Sequence, residues 1–406
     1  MGVLADVLSQ PETAGFVHVA RSDDPVRRYL TRDPEPRQPA ALVCLPADTV
    51  SQGDNPVEAI YSVPNAHRDT AAAAFVASED PADENDSGSD EINRTVATRE
   101  PETQPGTHVV HLLADQLGDA VGTGKLRVPS HIPHDAAVRL QRAGYDISST
   151  AALTEARASK TPAERECLRA VQQAGAHGIA HATDRLAAAT TSGGRLHVDG
   201  EPLSATQLER DIATAVAETG VTPETVAVRA PATNPSGPLP AGEGIVIAVR
   251  PRGPHGYYGH LTRTVAVDSD GGWDRRAHIA AKAGLTTART HCKPGTSVAT
   301  VAAEVRAELT AYGFPPRTGT GEGGGDDTSA DAGSTTTAHG IGLASVEAPS
   351  PGENLSLEPG ATLAIAVRVA DPDHGRLRLG SVVEVTDDGG ELLVDHSLSL
   401  TPESPD

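Results

Sequence analysis

The chain has 406 residues, enough for two domains, because a single core stops growing near about 250–300 residues. Its net charge of −22 leaves no basic face, and no cluster of Lys and Arg with interleaved aromatics is present, which excludes a nucleic-acid partner. No stretch approaches the roughly 18 apolar residues of a membrane span, and no basic region precedes an apolar run at the start, so a soluble cytoplasmic protein is expected.

In chain order, Phe16–Ala20 and Ala41–Leu45 are apolar runs bounded by turn residues and read as buried strands opening a small α/β domain. From about Ser78 to His108 the composition turns to Asp, Glu, Ser, Pro and Gly, which predicts a solvated insertion over about 78–107 that cannot bury enough apolar surface to order itself. Val109–Leu113 then reads as a strand and Ala136–Ala143 as a helix, with the domain boundary between Ser148 and Arg157. The expected domains are residues 1–155 and 156–402.

Thr161-Pro-Ala-Glu164 is a helix start, with Thr as cap, Pro at the first position and Glu able to bond back. That helix is expected to reach about Ala188, burying Leu168, Val171, Ala174, Ile179 and Ala182. Ser204-Ala-Thr-Gln207 repeats the capping logic for a second helix ending at Gly220. A strand over Ile245–Arg250 follows, then helices over about Trp273–His291 and Val298–Tyr312. Helix pair plus strands, twice over, suggests two similar halves. The Gly- and acid-rich stretch at about 317–335 lacks the lysine of a phosphate loop and reads as a flexible insertion.

The kind of charge is as informative as its amount. Lys125, Lys160, Lys282 and Lys293 are the only lysines, and aromatics are 2% of residues. A carboxylate-rich, lysine-poor chain suits a salt-accumulating cytoplasm, where molar salt shortens the screening length to about 3 Å and makes self-repulsion tolerable. Cys44, Cys167 and Cys292 show no metal-binding or disulfide spacing, so reduced structural thiols are expected.

Five motifs follow one another from residue 157 onward: Arg157-Ala-Ser-Lys-Thr-Pro-Ala-Glu164, Tyr257-Tyr-Gly-His-Leu-Thr-Arg-Thr264, His339-Gly-Ile-Gly-Leu343 with Glu347-Ala-Pro349, Leu357-Glu-Pro-Gly360, and Arg376–Thr386. In this order they resemble the Xaa-Pro peptidase, methionine aminopeptidase and creatinase superfamily. The resemblance implies a pita-bread α/β (α+β) domain preceded by a smaller creatinase-type α/β domain. It also implies a homodimer or a subunit partnering an active paralogue.

Active members of that superfamily hold two divalent metals (Mn, Co or Zn) on two Asp, one His and two Glu, because adjacent cations need carboxylates to bridge them. Matched residue by residue, those positions are Ala248, His260, His339, Ala366 and Gly380 here. Four carboxylates are absent and only His339 is kept. The family's two proton-handling histidines are missing as well: Asn234–Pro240 contains none, and the position before Glu347 is Val346. Creatinase works without metal but grips its substrate with carboxylates at the positions of Ala366 and Gly380, so that activity is poorly supported too.

The expectation is a pseudoenzyme with no metal or other cofactor, binding a peptide or small anionic ligand in the old cleft. There His260 and His339 should face one another, with Tyr257, Arg263, Glu347 and Arg378 nearby and Arg250, Arg263 and Arg368 supplying positive charge. A weaker alternative places one ion on His260 and His339 with Glu347 or His255. The competing reading is an active Xaa-Pro aminopeptidase or dipeptidase with an atypical site.

Overall fold

The computed structural model describes residues 2–21, 23–33, 38–46, 57–76, 92–118, 121–231, 237–316, 333–350, 352–353 and 355–402. The chain divides into two compact units, Met1–Arg157 and Ala158–Asp406.

The first unit is built from α1 (Gly2–Leu8), β1 (Thr13–Ala20), α2 (Pro25–Thr31), β2 (Ala40–Pro46), β3 (Val57–Pro64), α3 (Arg68–Phe75), β4 (Ile92–Arg99), α4 (Pro105–Leu117), β5 (Lys125–Pro129), α5 (His134–Arg142), β6 (Asp146–Thr150) and α6 (Ala152–Ala158). Its six strands run in the order β4-β3-β2-β1-β5-β6, with β5 and β6 parallel to β1 and β4 parallel to β3. Alternate strand residues feed two cores. Phe16, Leu42 and Tyr61 pack with Leu30 and Phe75 on one face, while Val17, Val43 and Ile60 pack with Leu113 and Leu140 on the other.

Two expectations fail in this unit. The polar stretch after Ser78 is not all insertion: residues 77–91 lie outside the described residues, but Ile92–Arg99 forms β4. A polar sequence suffices there because β4 is an edge strand, held by the parallel ladder to β3 on one side and demanding little side-chain burial. Val109–Leu113 belongs to α4, not to a strand. Pro105 opens that helix, and Val109, Leu113 and Leu117 recur at four-residue spacing on its buried side.

The second unit contains α7 (Pro162–Ala187), a three-stranded patch of β7 (Thr190–Ser192), β8 (Arg195–Val198) and β9 (Glu201–Pro202), α8 (Ala205–Glu218), β10 (Thr222–Arg229), β11 (Ile245–Arg252), β12 (Leu261–Val265), α9 (Gly272–His291), α10 (Val298–Ala311), β13 (Thr335–Gly340), β14 (Thr362–Asp371), β15 (Gly375–Thr386) and β16 (Gly389–Leu392). The Thr161/Glu164 capping box forms in full, and Ser204 and Ser297 cap α8 and α10. An antiparallel sheet runs β10-β11-β12-β15-β14-β13, with β16 added on β15.

Helices cover one face of that sheet. Leu285, Val305, Ile365 and Leu379 lie in one core with α9 and α10. The glycines Gly175 on α7 and Gly284 on α9 set the approach, since a Cβ would stand 2.6 Å from Leu261 in the first case and 3.2 Å from Val367 in the second. Burial pushes the thiols of Cys44 and Cys292 up to about 12, so both stay protonated. No described helix is long and apolar enough to cross a membrane. The Gly-rich stretch 317–332 lies outside the described residues.

The helical assignment of residues 105–117 can be checked directly. Leu113→Ala is expected to cost about 2–5 kcal/mol in urea unfolding, and His111→Ala, on the exposed side, to stay within about 0.5 kcal/mol.

Candidate functional site

The face of the larger sheet away from the helices is read off its register. Ala248 pairs with Thr262, Thr262 with Gly380, Gly380 with Ala366 and Ala366 with Thr337. Paired residues share a face, so these five form one row across the sheet. The next row includes His260, two residues before Thr262, and then Val382, Ala364 and His339. The row on the other side contains Arg378 and Arg368, which pair directly, flanked by Thr264 and Thr335. Arg250 lies on the same face, two residues beyond Ala248.

The sequence-matched positions Ala248, His260, His339, Ala366 and Gly380 are thereby brought to one surface. Its floor is made of Ala and Gly. A Cβ on Gly380 would lie 3.1 Å from both His260 Nε2 and the Ala366 Cβ, so the imidazole already occupies the space beside position 380.

His260 is held from behind by Gln172 on α7. The Gln172 Nε2 donates to the His260 carbonyl at 2.9 Å, and the His260 amide donates to Gln172 Oε1 at 3.0 Å. Its own Nε2 is buried without a hydrogen-bond partner. Burial, then the positive charges of Arg378 and Arg250, hold the His260 pKa well below 6.5, which keeps the ring neutral. His339 Nδ1 lies 2.9 Å from the Gly340 carbonyl, which can only accept, so the proton sits on Nδ1 and Nε2 carries the lone pair. Burial and the same two arginines lower its pKa as well.

Three expected neighbours lie elsewhere. Arg263 alternates to the opposite face of β12, where it is 2% exposed and donates to the carbonyls of Thr262, Gly380 and Ser397. It braces backbone and is not part of the cleft surface. The Tyr257 hydroxyl donates to Glu164 Oε1 at 2.8 Å, at the start of α7. Tyr257 and His255 line a cavity of about 510 Å³ with Cys167, Val171 and His177, and neither His260 nor His339 lines it. Glu347 accepts from Lys160 Nζ at 2.6 Å, both side chains nearly inaccessible, and from the Ala344 amide. Among the described residues, His260, His339 and Glu347 do not converge on a common point as a metal-binding group.

Lys160 and Gln172 were missed from the sequence. Lys160 did carry a signal, as one of only four lysines in the chain. Gln172 carried none beyond being polar on an apolar helix stripe.

The surviving motifs have visible backbone duties. In His339-Gly-Ile-Gly342 and Glu347-Ala-Pro349, the Gly340 amide donates to the Pro349 carbonyl and the Glu347 amide to the Gly340 carbonyl. A Cβ at Gly340 would collide with the Ala348 carbonyl, and one at Gly342 with Glu347 Oε1 and Lys160 Cε. Gly360, with φ +86°, accepts from the Lys160 amide and donates to the Val385 carbonyl.

This two-unit architecture, with a six-stranded sheet and then a helix-backed antiparallel sheet, is the prolidase fold. The chain superposes on the prolidase from Pyrococcus horikoshii OT3 with a TM-score of 0.69 at 14% identity, covering 98% of this chain and 99% of that one. For the Xaa-Pro dipeptidase from Bacillus anthracis the TM-score is 0.71 at 15% identity, covering 98% of each chain. For dipeptidase PepE from Mycobacterium ulcerans it is 0.66 at 22% identity, covering 98% of this chain and 96% of that one. At these identities the likeness is one of fold. Residues 166–387, more than half the chain, match metallopeptidase family M24, and the chain belongs to that family and to its pita-bread superfamily. No curated protein matches it.

Two predictions follow from the site's electrostatics. Lys160→Met strands the buried Glu347 carboxylate and is expected to cost about 3–5 kcal/mol, most of it recovered in the Lys160→Met/Glu347→Leu double variant, as read by urea titration. Below pH 6.5 the unfolded chain takes up protons that native His260 and His339 refuse. Stability is therefore expected to fall as pH drops from about 6.5 towards their lowered native pKa values, with a slope of up to about 1.4 kcal/mol per pH unit per histidine, and less steeply in His260→Gln.

Proposed function

We propose that this family M24 protein binds a peptide terminus or another small carboxylate on the bare sheet face without hydrolysing it. The observation that carries the reading is the row Ala248, Thr262, Gly380, Ala366 and Thr337, which offers no carboxylate where a dinuclear metal site would need several. The donors at hand are the imidazoles of His260 and His339, both kept neutral by burial and by Arg378 and Arg250. A surface that already repels a proton from two imidazoles is a poor host for two divalent cations. The residues present do not fit the family's metal pair, and no hydrolytic step is derived through it.

The same charges suit an anion. Arg378 and Arg250 flank a floor of Ala, Gly and Thr, and guanidinium forks match carboxylates in a bidentate manner. The Glu347 carboxylate is paired with Lys160. His339 Nε2 supplies a further polar contact beside the arginines.

The test uses the full chain purified in molar KCl, in keeping with the acidic composition, supplied with Mn, Co or Zn and an Xaa-Pro dipeptide. The expected outcome is no turnover and no pair of ions at the cleft, with the dipeptide binding measurably by calorimetry. Arg378→Ala should weaken that binding by about ten- to a hundred-fold, the worth of one charge-assisted contact of roughly 1.5–3 kcal/mol. Turnover abolished by His339→Ala would establish an active peptidase instead.

A further inference from the structure

The smaller unit holds a second constellation, independent of the cleft. His18 lies in β1, Asp24 in the turn from β1 to α2, and His131 in the turn that follows β5. Strands β1 and β5 are parallel neighbours, with Phe16 opposite Arg127, so the chain leaves both in the same direction and the three side chains meet beyond their carboxyl ends. Open sheets present ligand-binding groups at this edge of parallel strands.

The geometry is compact. His18 Nε2 is 2.9 Å from Asp24 Oδ1, and His131 Nε2 is 3.5 Å from Asp24 Oδ2. One donor atom from each residue lies within 4.8 Å of the others, and this is the only such group of His, Cys, Asp and Glu among the described residues. The imidazole planes are near perpendicular, 78° apart with centroids at 5.7 Å, so the rings do not stack. Donors placed about 2.0–2.1 Å from a tetrahedral ion stand roughly 3.3 Å apart, within reach of three donor atoms that already lie within 4.8 Å of one another.

We propose that His18, Asp24 and His131 bind a single divalent transition ion of the zinc, cobalt or nickel type. Two imidazoles and one carboxylate form the borderline donor set those ions favour. The site is graded in exposure: side-chain accessibility is 1% at His18, 12% at Asp24 and 51% at His131, so one wall is fixed in the sheet and the other opens to solvent. The open side leaves room for water or an exogenous donor in the fourth position. Asp24 is already aimed, because the Arg27 amide fixes its Oδ1 at 2.9 Å. Arg157 adds an opposing positive charge beside His131, and His18 Nδ1 is buried without a partner. Both limit affinity, which is why the ion is expected to exchange with chelators and not to be locked in.

Without an ion the same residues form a hydrogen-bonded His-Asp-His cluster, and the experiment separates the two. Full-length protein freed of metal with a chelator is titrated with Co²⁺, following its visible d–d absorption, and then with Zn²⁺ in competition. The expected result is one saturable equivalent whose spectrum indicates nitrogen and oxygen ligands in a low-coordinate site. Binding should weaken by about a hundred-fold or more in Asp24→Asn and in His131→Gln, and be unchanged in His339→Ala. His131→Gln changes a half-exposed turn residue and is expected to keep its fold by circular dichroism even if Asp24→Asn does not. Saturating Zn²⁺ should also raise the Tm of the unaltered chain but not that of His131→Gln. Absence of a saturable signal, or one that survives both variants, overturns the proposal. A signal lost only in His339→Ala also overturns it and assigns the ion to the cleft.

Discussion

The larger sheet depends on one joint. Its two halves meet where β12 lies against β15, and the ladder there has a single registered pair, Thr262 with Gly380. Side chains complete what the backbone ladder lacks. Arg263 donates to the Gly380 carbonyl from one face, and the Thr264 hydroxyl bonds both the amide and the carbonyl of Arg378. A guanidinium that is 2% exposed, with Nε and Nη1 bonded to carbonyls and Nη2 left without a partner among the described residues, is costly to bury unless it replaces hydrogen bonds that would otherwise be missing. Burial pushes its pKa down to about 9. Thr262-Arg263-Thr264 therefore has a reason to persist whatever the cleft does.

The same division of labour runs through the motifs. Gly340, Gly342 and Gly360 persist where a side chain would strike a carbonyl, a buried ion pair or a left-handed turn. Ala248, His260 and Ala366 instead project from the sheet face away from the helices, beside Gly380. Packing constraints couple a residue to its neighbours and are lost only at a cost in stability, whereas residues on a binding face answer only to the chemistry they perform. Gly380 and His260 share one space: the imidazole stands where a side chain at 380 would begin.

Charge on this face is carried by arginine. Arg250, Arg368 and Arg378 lie on it, and Glu347 is paired with Lys160. In a chain of net charge −22 these arginines are a local concentration of the minority charge. The smaller unit shows the opposite arrangement at Asp24, a carboxylate drawn between two imidazoles.

Local and periodic features were legible in the sequence. The Thr161 capping box, the stripe along α7, the buried strands at β1 and β2 and the ordered motifs that place the chain in its superfamily all rest on neighbours in sequence or on residue order. Failures came where a non-local partner decided the outcome. Ile92–Arg99 is a strand because β3 is beside it, and Val109–Leu113 is helical because the sheet buries Val109 and Leu113 four residues apart, a spacing a five-residue window cannot distinguish from a strand. Arg263 was assigned to the cleft because sequence proximity to His260 cannot say which side of a strand a residue faces, and a shift of one residue reverses the face. The sequence by itself determined which residues are available and the order of the motifs that place the chain in its family. Only the tertiary structure decided that Lys160 reaches Glu347 across 187 positions and that His18, Asp24 and His131 converge, because hydrogen bonds and charges act over a few ångströms of space irrespective of separation along the chain.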